Sequence, residues 1–191
     1  VFPLYSFDAA IENAPKVGIE ITDFGMEHEP ECIKKYYEGC ATLADMARKA
    51  ASMEGVDFLS FRMEGGDPNG ANKSTEELIG ELKEIADAVD LPLVVCGCKN
   101  VEKDAELFSK AAEALNGKNA VILSAKEENY KTVGAAAGLA YKQVVGAESA
   151  VDINLAKQLN VLISQLGVDS KRVVMNVGTA AVGYGFEYVI S

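Results

Sequence analysis

The sequence predicts an α/β protein of the TIM (β/α)8-barrel type, of which this chain forms an incomplete portion with about six βα units. Short runs rich in β-branched residues alternate with Ala-, Glu- and Lys-rich stretches that are long enough to form helices. Parallel strands need such long crossovers, so the alternation indicates a parallel sheet. No strand precedes a glycine-rich phosphate-binding motif, which disfavours the nucleotide-binding open sheets.

The predicted elements follow one another without a linker or a low-complexity stretch. The predicted strands are Val17–Asp23, Phe58–Glu64, Leu93–Cys98, Ala120–Ala125, Gln143–Glu148 and Arg172–Val177. The predicted helices are Thr42–Met53, Ser74–Val89, Val101–Leu115, Glu127–Tyr141 and Asp152–Leu166. Ser74 with Glu77 forms a capping-box pattern, and Gly55, Gly117 and Gly167 stand where helices should end.

Alternation in the first two strands favours a barrel over an open sheet. Apolar residues such as Ile19, Ile21, Leu59 and Phe61 are predicted to face the helices, which leaves charged residues on the other side of both strands. A barrel interior that becomes polar toward one mouth accommodates this pattern.

Glu20 and Arg62 are predicted to form an ion pair inside the barrel, because an unpaired buried charge is costly. The alternative is that both side chains lie on edge surfaces and do not meet.

Composition excludes several functional classes. The chain has 191 residues, 49% of them hydrophobic, and a formal net charge of −11, which disfavours nucleic acid as a partner. No apolar run has the length of a membrane span and no signal-peptide pattern is present, so we expect a cytoplasmic protein. Val1 in place of Met, and Ser191 inside what looks like a first helical turn, indicate a fragment of a longer chain.

Metal and thiol chemistry is not expected of this chain. His28 is the only histidine, which leaves no His-based metal site and no Ser-His-Asp triad. The four cysteines lack the spacing of a metal cluster, and Cys96 and Cys98, two apart on a predicted strand, should face one side as free thiols.

Several collinear segments resemble one family. They are GIEI at 18–21, LSFRMEGGDPNGANKSTEE at 59–77, LPLVVCGCKNVEKDAEL at 91–107, SAKEENYKTV at 124–133, DINLAKQLNVLI at 152–163 and GYGFEY at 183–188. From Val17 to Ser191 the chain is similar to the small subunit of the corrinoid iron–sulfur protein, equivalently the delta subunit of the acetyl-CoA decarbonylase/synthase complex. Members of that family complete an eight-stranded barrel, so residues 1–191 would be a single barrel domain lacking the C-terminal βα units.

The resemblance implies a heterodimer with a large (gamma) subunit that carries a corrinoid and a [4Fe-4S] cluster. The small subunit would shield the cobalamin while a methyl group passes from methyltetrahydrofolate or a related pterin to acetyl-CoA synthase, in the Wood–Ljungdahl pathway of anaerobes. Its barrel would be a non-catalytic subunit that binds no metal itself, and the methyltransferase and acetyl-CoA synthase would be transient partners. One alternative is a methyltetrahydrofolate:corrinoid methyltransferase with pterin in the barrel mouth, and another is a scaffold that does not touch the cofactor.

Candidate cofactor-binding residues lie at the predicted carboxyl ends of the strands, where function concentrates in barrels. They are Asp23, Glu64, Asn100, Ser124, Asn129, Ser149, Asp152, Asn154, Asn176, Thr179 and Tyr184. Amides and hydroxyls suit the amide arms of a corrinoid, but turns and helix N-caps prefer the same residues, and Tyr184 could equally be a packing residue. Asn176-Val177 replaces the Asp-Pro that the family commonly has there, which weakens the pterin-enzyme alternative.

Overall fold

The computed structural model describes residues 14–190, which form alternating strands and helices. The strands are β1 Gly18–Thr22, β2 Phe58–Arg62, β3 Leu93–Cys96, β4 Val121–Ala125, β5 Val144–Glu148 and β6 Val173–Asn176. The helices are α1 Glu31–Tyr36, α2 Leu43–Ala51, α3 Thr75–Ala88, α4 Val101–Ala114, α5 Tyr130–Val133, α6 Ile153–Gln165 and α7 Phe186–Ile190. Val1 and Ser191, from which a fragment was inferred, lie outside the described residues.

All six described strands belong to one parallel sheet in the order β1-β2-β3-β4-β5-β6. Each strand therefore pairs with the strand that precedes it along the chain, and the described part of the sheet contains no reversal of strand order. A doubly wound sheet has such a reversal, so the order confirms the predicted α/β class with parallel strands and disfavours the nucleotide-binding topology. β1 and β6 form the two edges of the described sheet.

The helix-facing side of the sheet forms the apolar core. Ile21, Leu59 and Phe61 are at most 3% exposed, as the alternation predicts. Helices α2, α3, α4 and α6 bury Met46, Leu78, Leu82, Leu107, Phe108, Leu159 and Ile163 against this side. Burying side chains of this size is the main favourable contribution to folding.

Several predicted boundaries are wrong, and three of them have identifiable local reasons. Val17 is 57% exposed because β1 begins one residue later. The strand predicted to reach Glu64 ends at Arg62, and Glu64–Gly66 forms a 3₁₀ turn. The helix predicted from Glu127 begins at Tyr130, since Asn129 Oδ1 accepts a hydrogen bond from the backbone N–H of Lys126 and makes a turn there.

Two helical features were not predicted. Helix α5 continues as a π-helix over Gly134–Ala140, where Gly138 lies so close to Val168 that a side chain would meet it at 2.6 Å. The six-residue α1 follows Pro30, whose φ of −64° is suited to a helix start, but a helix this short has little periodicity to detect.

We expect Leu82→Ala to lower the free energy of unfolding by about 2–5 kcal/mol, because it removes a fully buried side chain and leaves a cavity. Leu139→Ala is the matched control, since Leu139 is 41% exposed and should cost far less. Urea denaturation followed by circular dichroism measures both. Equal losses for the two variants would contradict the position of the core.

Candidate functional site

A polar cavity of about 270 Å³ opens where the carboxyl ends of strands β2 to β6 meet. Its lining is contributed by these strand ends, by the loops that follow them and by α4. The lining residues are Arg62, Cys96, Gly97, Lys99, Asp104, Leu123, Ser124, Lys126, Glu148 and Asn176. Basic, acidic, amide and hydroxyl groups therefore share one small space.

Arg62 donates two hydrogen bonds to Glu20 on the neighbouring strand. Arg62 Nε lies 2.9 Å from Glu20 Oε1, and Arg62 Nη2 lies 2.8 Å from Glu20 Oε2. These bonds raise the pKa of the Arg62 guanidinium. Ser60 Oγ donates to Glu20 Oε2 at 3.3 Å, so the carboxylate is held by both β2 residues. The predicted pair between Glu20 and Arg62 is confirmed.

Cys96 and Cys98 face different surroundings, so the prediction that they share one side is wrong. Cys96 Sγ lies 3.5 Å from Ser60 Oγ and the residue lines the cavity. Cys98 instead packs in the apolar core. The strict alternation ends with β3 at Cys96, so Cys98 lies beyond the strand. All four cysteines are free thiols.

Asp104 is a cavity residue that the sequence did not single out. It is 5% exposed on α4, and its Oδ1 accepts a hydrogen bond of 2.7 Å from the backbone N–H of Cys98. Burial raises the pKa of the Asp104 carboxyl. A side chain on Gly97 would lie 2.1 Å from Asp104 Oδ1, so glycine is needed for this contact. The spacing of residues along the predicted helix could have indicated that Asp104 is buried, because it shares a helix face with the buried Leu107, Phe108 and Ala111.

Asp23 forms a closed cluster at the ends of β1 and β2. Its side chain is 0% exposed and lies 3.0 Å from Lys73 Nζ, and both of its oxygens accept from the backbone N–H of Gly65. Lys73 Nζ also donates to the Asp23 backbone oxygen at 2.9 Å and to Glu81 Oε1 at 3.2 Å. Burial raises the pKa of Glu81. The predicted ligand Asp23 is thus engaged in joining two loops.

Ser124 and Asn176 are the two sequence-predicted candidates that line the cavity. Asn176 Nδ2 donates to Ser124 Oγ at 3.3 Å, which links the ends of β4 and β6. Asn129 and Ser149 are buried in the loops after β4 and β5. The Asn129 Nδ2 and Ser149 Oγ atoms make no hydrogen bond within residues 14–190. Lys126 Nζ lies 3.6 Å from Glu148 Oε1.

The other candidates are not brought into the cavity. Asn100 caps α4 by accepting from the Lys103 N–H at 3.0 Å. Asp152 caps α6 by accepting from Asn154 N–H and Leu155 N–H. Four further candidates are solvent-exposed: Glu64, Asn154, Thr179 and, at 86%, Tyr184. Their roles as cofactor contacts remain predictions.

The described residues form neither a metal cluster nor a membrane-spanning helix. Across residues 14–190 no group of three or more His, Cys, Asp and Glu residues could hold a metal ion. No helix in the described part of the chain is long and apolar enough to span a membrane.

Comparison with known proteins assigns the family. The family model described as CO dehydrogenase/acetyl-CoA synthase delta subunit matches residues 3–191. This chain belongs to that family. The match includes every strand and helix that contributes to the polar cavity.

Three relatives described as subunit delta cover between 76% and 98% of the chain. The acetyl-CoA decarbonylase/synthase complex subunit delta of Methanothermobacter thermautotrophicus is 32% identical over 98% of this chain and 48% of its own length. The subunit delta of Methanocaldococcus jannaschii is 32% identical over 98% and 47%, respectively. That of Methanopyrus kandleri is 36% identical over 76% and 36%. The chain thus spans about half the length of the first two relatives.

For this family member, a double-mutant cycle tests the ion pair between Glu20 and Arg62. We expect Glu20→Gln, Arg62→Met and the double variant to give a coupling energy of about 0.5–1 kcal/mol, because the pair is bidentate but partly exposed. Equilibrium urea unfolding of the four proteins measures it. Additive effects would mean that the two side chains do not interact in solution.

Thiol reactivity tests the two cysteine environments. Burial raises the pKa of Cys98 to about 11, so at pH 8.5 this thiol stays protonated and unreactive. We expect iodoacetamide to modify the exposed Cys32 first and to leave Cys96 and Cys98 intact until the protein is unfolded in urea. Peptide mass spectrometry follows each site. Equal modification rates of Cys32 and Cys98 in the folded protein would contradict this assignment.

Proposed function

We propose that this chain is the barrel part of an acetyl-CoA decarbonylase/synthase delta subunit that pairs with a corrinoid-bearing large subunit. Its role would be to hold and shield the cobalamin while a methyl group passes from a methylated tetrahydropterin to acetyl-CoA synthase. The observation that carries this proposal is the family match over residues 3–191. The methyltransferase and acetyl-CoA synthase would be transient partners.

We also propose that the sheet is part of a (β/α)8 barrel. The sequential parallel order of β1 to β6 and the helices on one face are features of that fold. The opposite face carries Glu20, Ser60 and Arg62, whose bonded charges suit a barrel interior better than an open surface. β1 and β6 would then be joined through further strands of the full-length protein.

The chemistry of the polar cavity, which would be the mouth of this barrel, fits a corrinoid periphery. Corrinoid side arms are amides that both donate and accept hydrogen bonds, and the mouth offers Ser124, Asn176, Lys126 and Glu148 with both capacities. Asn129 Nδ2 and Ser149 Oγ, in the loops after β4 and β5, are two buried polar atoms that do not line the cavity and have no partner among the described residues. Such atoms in a folded protein call for an additional partner.

In this role the chain's residues bind the corrinoid and exclude water. They do not perform the methyl transfer. The corrinoid itself supplies a cobalt that accepts and passes on the methyl group. Ser124 and Asn176 would bind its polar edge, while the loop held by Asp104 and the loops joined by Asp23 and Lys73 would keep the mouth in one shape. Excluding solvent protects reactive states from side reactions.

The second candidate is an enzyme that binds a methylated pterin in the same mouth. It is favoured by the carboxylates of Asp104 and Glu148, which could accept the donors of a pterin ring. The cavity of about 270 Å³ lies below the range of about 300–1,000 Å³ typical of small-molecule sites, which favours the shielding role. Asn176 offers an amide where the family commonly has a carboxylate.

Co-purification tests the proposed function. We expect the full-length protein to co-elute with the large subunit and to change the visible spectrum of its bound corrinoid, because the mouth replaces solvent at the macrocycle. The delta subunit alone, titrated with methyltetrahydrofolate, should show no saturable binding. Stable pairing without a spectral change would identify a scaffold, and saturable pterin binding with methyl transfer by the isolated subunit would identify the enzyme.

A further inference from the structure

The polar cavity is close to electrically neutral. Three basic residues line it, Arg62, Lys99 and Lys126, together with the acidic Asp104 and Glu148. The Arg62 charge is already matched by Glu20 through two hydrogen bonds. Counting Glu20, three positive charges face three negative ones, so the cavity favours neither an anion nor a cation.

Among the described residues, some hydrogen-bond donors and some acceptors of the cavity have no partner. Lys126 Nζ and Glu148 Oε1 are 3.6 Å apart, beyond the distance of a direct hydrogen bond. Within the described residues the ammonium group of Lys99 makes no ion pair, and the Ser124 hydroxyl accepts from Asn176 but makes no bond as a donor. The cavity therefore presents donors and acceptors side by side.

Its size restricts what can enter. About 270 Å³ is less than an enclosed site for a whole drug-sized molecule requires, so an appendage of a larger ligand is the better fit. The appendage must be neutral, must accept from an ammonium group and must donate to a carboxylate. A primary carboxamide meets all three conditions, because its oxygen accepts two hydrogen bonds and its nitrogen donates two.

We propose that this cavity binds one primary propionamide arm of the corrinoid and discriminates against the corresponding carboxylate. Lys126 would donate to the amide oxygen and Glu148 would accept from the amide nitrogen. A carboxylate arm would lose the donor and would place a third negative charge next to Asp104 and Glu148. This inference rests on the proposed function.

The test uses the full-length protein in complex with the large subunit. The probes are cobalamin and its three monocarboxylates, each with one propionamide hydrolysed to a propionate. Equilibrium dialysis at pH 7.5 gives a Kd for each. We expect one of the three monocarboxylates to bind about tenfold more weakly than cobalamin, because one arm alone enters the cavity.

The variant Glu148→Gln should restore the binding of that monocarboxylate to within about threefold of cobalamin, since it removes the nearest negative charge and keeps the shape. Glu127→Gln is the matched control, because Glu127 is exposed and does not line the cavity. It should leave the discrimination unchanged.

The outcomes separate this inference from the proposed function. If all three monocarboxylates bind as tightly as cobalamin, or if Glu148→Gln restores nothing, the carboxamide assignment is overturned while the shielding role stands. If removal of the delta subunit leaves the Kd of the large subunit for cobalamin and its visible spectrum unchanged, the proposed function fails and this inference fails with it.

Discussion

The structure depends on satisfying the charged groups on the face of the parallel sheet that lies opposite the helices. The Arg62 side chain is only 27% exposed there, so its charge is more stable with a partner than without one. Its bidentate contact with Glu20, and the contact of Ser60 with the same carboxylate, meet that requirement across β1 and β2. The pairing allows one face of the sheet to be polar while the other packs against helices.

Two glycines extend the same principle to the loops that follow β2 and β3. Gly65 and Gly97 lie where a side chain would meet the oxygens of Asp23 and Asp104 at 2.2 and 2.1 Å. The Asp23 carboxylate therefore accepts a hydrogen bond from the backbone N–H of Gly65, and the Asp104 carboxylate accepts one from the backbone N–H of Cys98. Backbone N–H groups that accompany a buried carboxylate stabilise its charge, so these contacts fix the loops and keep two acids inside a folded protein.

The same arrangement bears on the family role. The loop held by Asp104 lines the cavity formed by the ends of β2 to β6, so this wall is shaped before any partner binds. A surface that is already ordered loses little entropy on binding. The mixture of paired charges, amide and hydroxyl is suited to a neutral polar ligand edge, which supports the proposed shielding role.

The sequence by itself determined the βα alternation, the helix-facing residues such as Leu59 and Phe61, and the contact between Glu20 and Arg62. These depend on strand periodicity and on neighbouring strands that follow each other along the chain, so local pattern was sufficient. Only the tertiary structure decided that Asp23 is enclosed, that Asp104 enters the mouth and that Cys98 turns away from Cys96. Those positions depend on glycines at loop contacts and on where β3 ends, and contacts between packed elements decide both.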